Sequence, residues 1–208
     1  MGRCSDAKDR LIATAASLFH QRGYTAVSVA DICEAADLRK GSFYHFYASK
    51  LDLALDAIDA YARQYEALVI ASFRAGVSVP QQIRAMFEAF GRLLEEGHAR
   101  DGCLKGCPIG NLALEMADRE EAIRRKIATV FEALTGAFET LIRTGVARGE
   151  LAVDNPRVSA ETLVAMIEGA MVLTKTAKDP KVFSRLADVA VRAIEVPVRS
   201  PQPGPAPA

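Results

Sequence analysis

The chain has 208 residues, half of them hydrophobic, and 26 Lys and Arg balance 26 Asp and Glu. That is enough chain for one large or two modest domains with a buried core, and a formal charge of zero makes no overall electrostatic claim on nucleic acid. No apolar run reaches the roughly 18 residues of a membrane span, MGRCSDAKDR lacks the apolar segment of a signal peptide, and four cysteines are too few for a disulfide scaffold. These features read as a cytoplasmic protein with reduced thiols.

Aromatics make up only 7% and Trp is absent, while abundant Ala, Leu, Glu and Arg favour helix. Residues 6–22 place Leu11, Ile12, Ala15, Leu18 and Phe19 at helical spacing, and Gly23 follows as a stop. Ser28 and Asp31 form a capping box for a short second helix carrying Val29, Ile32 and Cys33 on its buried stripe. Asp37-Leu38 interrupts it, and Lys40 to Tyr47 predict a third short helix. A second capping box, Ser49 with Asp52, opens a long helix to about Arg74. Further helices are predicted over 80–96, from Pro108 through Met116, over 120–148, over 159–178 and over 180–195, with a polar loop at 97–106 and a turn at Asn155-Pro156. The tail VPVRSPQPGPAPA is Pro-rich and aperiodic, which predicts disorder. No stretch alternates as a strand would. The expected fold is all-α.

Residues 28–50 carry the functional signal. Two short helices joined by a tight turn form the layout of a helix-turn-helix, whose second helix enters the major groove. Residues 1–50 also hold seven Lys and Arg against five Asp and Glu. In the third helix Phe43 and Phe46 share a face that anchors it. Arg39, Lys40, Ser42, Tyr44 and His45 are left to face bases and phosphates. Gly41 removes a side chain at the helix start and permits close approach, to DNA or to the first helix. Lys50 lies at a helix N-terminus, where the macrodipole disfavours a cation, so an external phosphate is its expected partner. Ser28 offers its hydroxyl and neighbouring N–H groups to phosphate as well.

The pattern FxxxGYxxxSVxDIxxAAxLxKGSFYHFYxSKxxL, from Phe19 to Leu53, resembles the N-terminal domain of the TetR family of transcriptional regulators. It covers about a quarter of the chain. Two positions depart from the family pattern: Asp37 where glycine is usual in the turn, and Arg39 where a small hydroxyl residue is common. Asp tolerates left-handed backbone better than most residues. The resemblance implies an all-helical homodimer that reads a palindromic double-stranded DNA operator and is released, as a repressor, by a small effector. It divides the chain into a DNA-binding domain (1–50), an effector-binding and dimerisation domain (51–195) and the tail (196–208). It also implies that the helices over 159–178 and 180–195 pair with a partner subunit, through a face including Leu163, Met166, Ile167, Ala170, Met171 and Leu173.

Candidate effector-pocket residues are Met86, Phe87, Phe90, Leu112, Met116, Phe131, Leu134, Phe138 and Met166, an apolar, Met-containing set suited to a hydrophobic ligand. The segment GCLKGCPIGNLALEM is the most unusual part of this region. Cys107 precedes Pro108 at a helix start beside Lys105, a setting that lowers a thiol's pKa, and Cys103 is near enough to resolve it. Some TetR relatives carry similar segments and a few sense electrophiles or oxidants through cysteine, so an electrophile- or redox-sensing regulator is an alternative. Packing is the other role open to both thiols. His98 with the two cysteines matches no zinc spacing, and no metal or cofactor is expected. No GxSxG, HExxH, P-loop or GxGxxG motif is present, so an enzyme is not expected. A helical ligand-binding protein without DNA activity is the alternative of a different class.

Overall fold

The computed structural model describes residues 2–195, with side chains from residue 6 onward. The Pro-rich tail and the Cys4 thiol lie outside the described residues. These hold nine helices and no strand: α1 (Gly2–Arg22), α2 (Val29–Ala35), α3 (Lys40–Phe46), α4 (Lys50–Ser72), α5 (Val79–Asp101), α6 (Pro108–Met116), α7 (Glu121–Ala147), α8 (Pro156–Ala177) and α9 (Val182–Ile194). Among the described residues no helix is long and apolar enough to cross a membrane.

Local signals set most boundaries. At α2 the Asp31 carboxylate accepts from Ser28 N (2.7 Å) while Ser28 Oγ accepts from Asp31 N (3.1 Å), the reciprocal box. Ser49 Oγ likewise accepts from Asp52 N (3.1 Å) at α4. Asp37 takes left-handed backbone, φ +50°, in the turn between α2 and α3. The predicted loop at 97–106 is instead half helix. α5 runs through Gly97 to Asp101 and stops where Gly102 adopts φ +72° and donates to His98 O (2.8 Å). A single interior glycine costs a helix only about 1 kcal/mol, so Gly97 does not end it. Pro156 likewise begins α8 rather than a turn, because Asn155 Oδ1 caps Val158 N (3.2 Å).

Two hydrophobic cores share α4. Leu11, Ile32, Phe43 and Leu53 fill the first, with Ala57 at its edge. The second begins at Ile58 and joins α4–α9 around Met86, Phe87, Phe90, Phe138 and Phe183. Phe90 stacks on Phe183 at 5.9 Å. α6 touches α1, α4 and α7, so this short helix bridges the N-terminal helices and the larger bundle.

Candidate functional site

α3 stands on Phe43, which is fully buried, and on Tyr47, whose hydroxyl donates to Asp56 Oδ2 (2.8 Å). Phe46 is half-buried behind it. Fixing these aromatics turns Arg39, Lys40, Gly41, Tyr44 and His45 outward, with Ser42 half-buried and Tyr44 60% exposed. A Cβ built on Gly41 would meet nothing within 4 Å, so its missing side chain is not required by α1. Arg10 braces the turn ahead of α3, donating to the carbonyls of Ala36 and Asp37. Sequence reasoning missed it, since its target is a backbone oxygen brought close only by folding.

Lys50 has partners inside the fold. Its ammonium donates to Tyr24 O (3.0 Å) and Val27 O (2.8 Å) and lies 4.1 Å from the centre of the Tyr24 ring. A cation at this helix start therefore needs no external anion to explain it. Two carbonyls and an aromatic face offset the dipole. The same α1–α2 loop is gripped from the other side by α6. Glu115 accepts from Tyr24 N (2.8 Å) and Thr25 N (2.7 Å). Burial works against the Glu115 carboxylate, yet the Thr25 and Tyr24 donors outweigh it and hold its pKa below the ordinary value. His20 of α1 adds a third tie, Nε2 to Gly106 O at 3.0 Å. Burial, opposed by that carbonyl, lowers the His20 pKa to about 4, so the ring is neutral at physiological pH and donates. Glu115 was not singled out in the sequence, because a lone glutamate on an amphipathic helix carries no local signal.

A chamber of about 380 Å³ opens among α4, α5, α6, α7 and α8. Of the nine expected pocket residues, Phe90, Phe131 and Leu134 line it. Met86, Phe87, Leu112, Met116 and Phe138 are buried in solid core, and Met166 packs at its edge; all six are corrections. The five buried ones face inward against other core side chains. The walls the sequence did not indicate come from Tyr65, Val69, Ile70 and Phe73 of α4, Ile109 of α6 and Ile167, Glu168 and Met171 of α8.

Cys107 also lines the chamber. It caps α6, its Sγ accepting from Gly110 N (3.2 Å) and from the Tyr65 hydroxyl (3.8 Å). The expected low pKa is not found. Burial, reinforced by the Glu168 carboxylate, pushes the Cys107 thiol up to about 12, and Lys105 turns away to pair with Asp101 at 2.7 Å. The expectation of a Cys107 thiolate is thus corrected. Cys103 is exposed and, like Cys107, a free thiol.

On α8, Leu163, Ile167, Ala170 and Met171 are buried within the subunit, so they are not available to a partner. Val158, Ala165, Gly169, Val172 and Leu173 are among the exposed residues of that helix, with Val189 exposed on α9.

Comparison with known proteins agrees with this architecture at both ends. Residues 11–57 match the family described as bacterial regulatory proteins, tetR family, and residues 82–189 match the C-terminal domain described as transcriptional regulator LmrA/YxaF-like. The transcriptional regulator AcuR of Cereibacter sphaeroides is 36% identical over 74% of this chain and 70% of its own. The HTH-type transcriptional repressor DhaR of a Mycobacterium species is 27% identical over 90% of this chain and 91% of its own. Among solved structures, a TetR regulator from Chloroflexus aurantiacus superposes with a TM-score of 0.81 at 28% identity, covering 93% of this chain and 96% of that one. The regulatory protein TetR of Rhodobacter sphaeroides gives 0.77 at 33% identity, covering 89% and 97%. The chain belongs to the TetR family of transcriptional regulators, which are ligand-responsive DNA-binding proteins.

Proposed function

We propose that this member of the family is a homodimeric repressor whose two α3 helices read a palindromic operator about one DNA turn apart, and that an apolar effector in the chamber releases it. Arg39 and Lys40 are read as base or phosphate contacts, and Ser28, Ser42, Tyr44 and His45 as the layer around them, with Gly41 leaving room for the duplex. Lys50 orders the α1–α2 loop and offers its remaining N–H to phosphate. Dimerisation is assigned to the exposed face of α8 with Val172 and Leu173, and to Val189 of α9.

One observation carries the reading: α6 touches both sites. Cys107 and Ile109 at its N-terminal end line the chamber, and Glu115 at its C-terminal end holds the loop that positions α2 and α3. An effector that pushes this end of α6 pulls on the reader. It shifts the population only by as much as it prefers the displaced state. The test is a binding assay on DNA selected from random sequence, with light scattering for assembly. Palindromic sites and a dimer are expected, with Leu173→Glu giving monomer. Glu115→Gln should still bind DNA but respond weakly to effector. Non-palindromic sites, a monomeric wild type or an unchanged response in Glu115→Gln would each overturn its part of the reading.

A second reading, covalent capture of an electrophile, is supported by the position of Cys107 on the chamber wall. It requires a ligand that activates a protonated thiol in place. Release curves for Cys107→Ser that match the wild type would exclude it.

A further inference from the structure

We propose that the chamber takes an amphiphilic cation, with the Glu168 carboxylate as its counter-charge. This rests on the chamber being the effector site and adds the chemistry of the effector. The ionisable charges lining the space have one sign: Glu66 at the exposed rim and Glu168 on α8, with no Lys, Arg or His in the lining. Neither carboxylate forms an ion pair among the described residues.

Glu168 sits in a prepared place. Its Oε2 occupies the position where a Cβ on Gly110 would collide with it, at the first turn of α6. The nearby donor is the Cys107 thiol, a weak one. Burial raises the Glu168 pKa, the direction expected of a carboxylate withdrawn from water without an ion pair. Such a group is costly until it is paired. The same chamber is lined by the aromatic residues Tyr65, Phe73, Phe90 and Phe131, and aromatic faces attract a positive charge. A neutral apolar ligand would fill the space and leave Glu168 unpaired. An anion would lose its water to meet two carboxylates and no base.

The experiment is calorimetric titration of the full chain with three compounds of similar shape: benzyltrimethylammonium, the neutral isostere neopentylbenzene, and benzylsulfonate. The cation should bind at least about tenfold tighter than the isostere, and the sulfonate more weakly than both. Glu168→Gln should abolish the preference for the cation and leave neopentylbenzene binding unchanged. Equal affinities, a reversed order or no binding of the cation would overturn the proposal. Should Glu168→Gln fail to fold, the wild-type ranking decides. Release of selected operator DNA, followed by fluorescence anisotropy, separates the two readings. Cation binding without release keeps this proposal and refutes the effector role of the chamber. Release by the neutral compound with no preference for the cation does the reverse.

Discussion

The DNA reader and the chamber use the same residue types to opposite ends. In the reader, Leu11, Ile32 and Phe43 meet across a filled core, and Lys40, Tyr44 and His45 of α3 are turned outward. In the larger bundle, Phe90, Phe131 and Leu134 also face inward, yet each borders the chamber on one side. Helical periodicity reports the direction of a side chain, not whether another stands opposite. The difference also divides the ties between the two regions. Those that hold the reader's loop end on its backbone atoms, at Tyr24, Thr25 and Val27, and the tie from α1 ends on the Gly106 carbonyl ahead of α6.

The sharpest way to break this contrast is to truncate one phenylalanine on each side. Phe43→Ala removes a ring from a filled core and should cost about 3–5 kcal/mol. Phe131→Ala should cost well under that, since part of its surface already meets a void. Urea denaturation of both variants checks it, and equal losses would mean that the chamber is closed in solution.

Lys50 and Lys40 make the next comparison. Lys50→Ala leaves two carbonyls without their charged donor and should destabilise the protein by about 1–3 kcal/mol. Lys40→Ala, on the exposed face, should change stability by less than about 0.5 kcal/mol while lowering the salt dependence of DNA binding by about 0.9 of a unit. If Lys50→Ala proves as stable as wild type, its ammonium is not held by the loop.

A third comparison uses pH at the junction. His20 has a folded pKa of about 4 against an ordinary 6.5. Between those values the unfolded chain binds the proton and the folded one does not. Stability should therefore be complete above 6.5 and fall as pH is lowered through that window. His20→Gln should flatten this limb of the pH–stability curve, as read by thermal unfolding. A limb unchanged in the variant would assign it to other groups.

The smallest effect is expected at Tyr44. Tyr44→Phe should leave stability within about 0.5 kcal/mol of wild type and weaken DNA binding by about 0.5–1.5 kcal/mol, equally for all operator variants. A loss confined to some sequences would make Tyr44 a base contact instead of a backbone one.

What the sequence by itself determined is local: the capping box of Ser28 and Asp31, the left-handed turn at Asp37, the Phe43 anchor and the polar face of α3 are each set by residues a few positions apart. Apart from the core that Phe43 enters, their partners are neighbours in the chain, so spacing alone specifies them. The end of α5 escaped because Gly97 and Gly102 look alike until backbone geometry distinguishes a tolerated interior glycine from a cap. The rest was decided in three dimensions. Lys50 bonds residues 23 and 26 positions away, and Glu115 reaches back 90 and 91. Cys107, at a helix start that should favour a thiolate, is governed instead by burial and by Glu168 from α8. Desolvation, cavities and bonds to backbone oxygens depend on which distant segments close around a group, and no spacing rule along the chain records that.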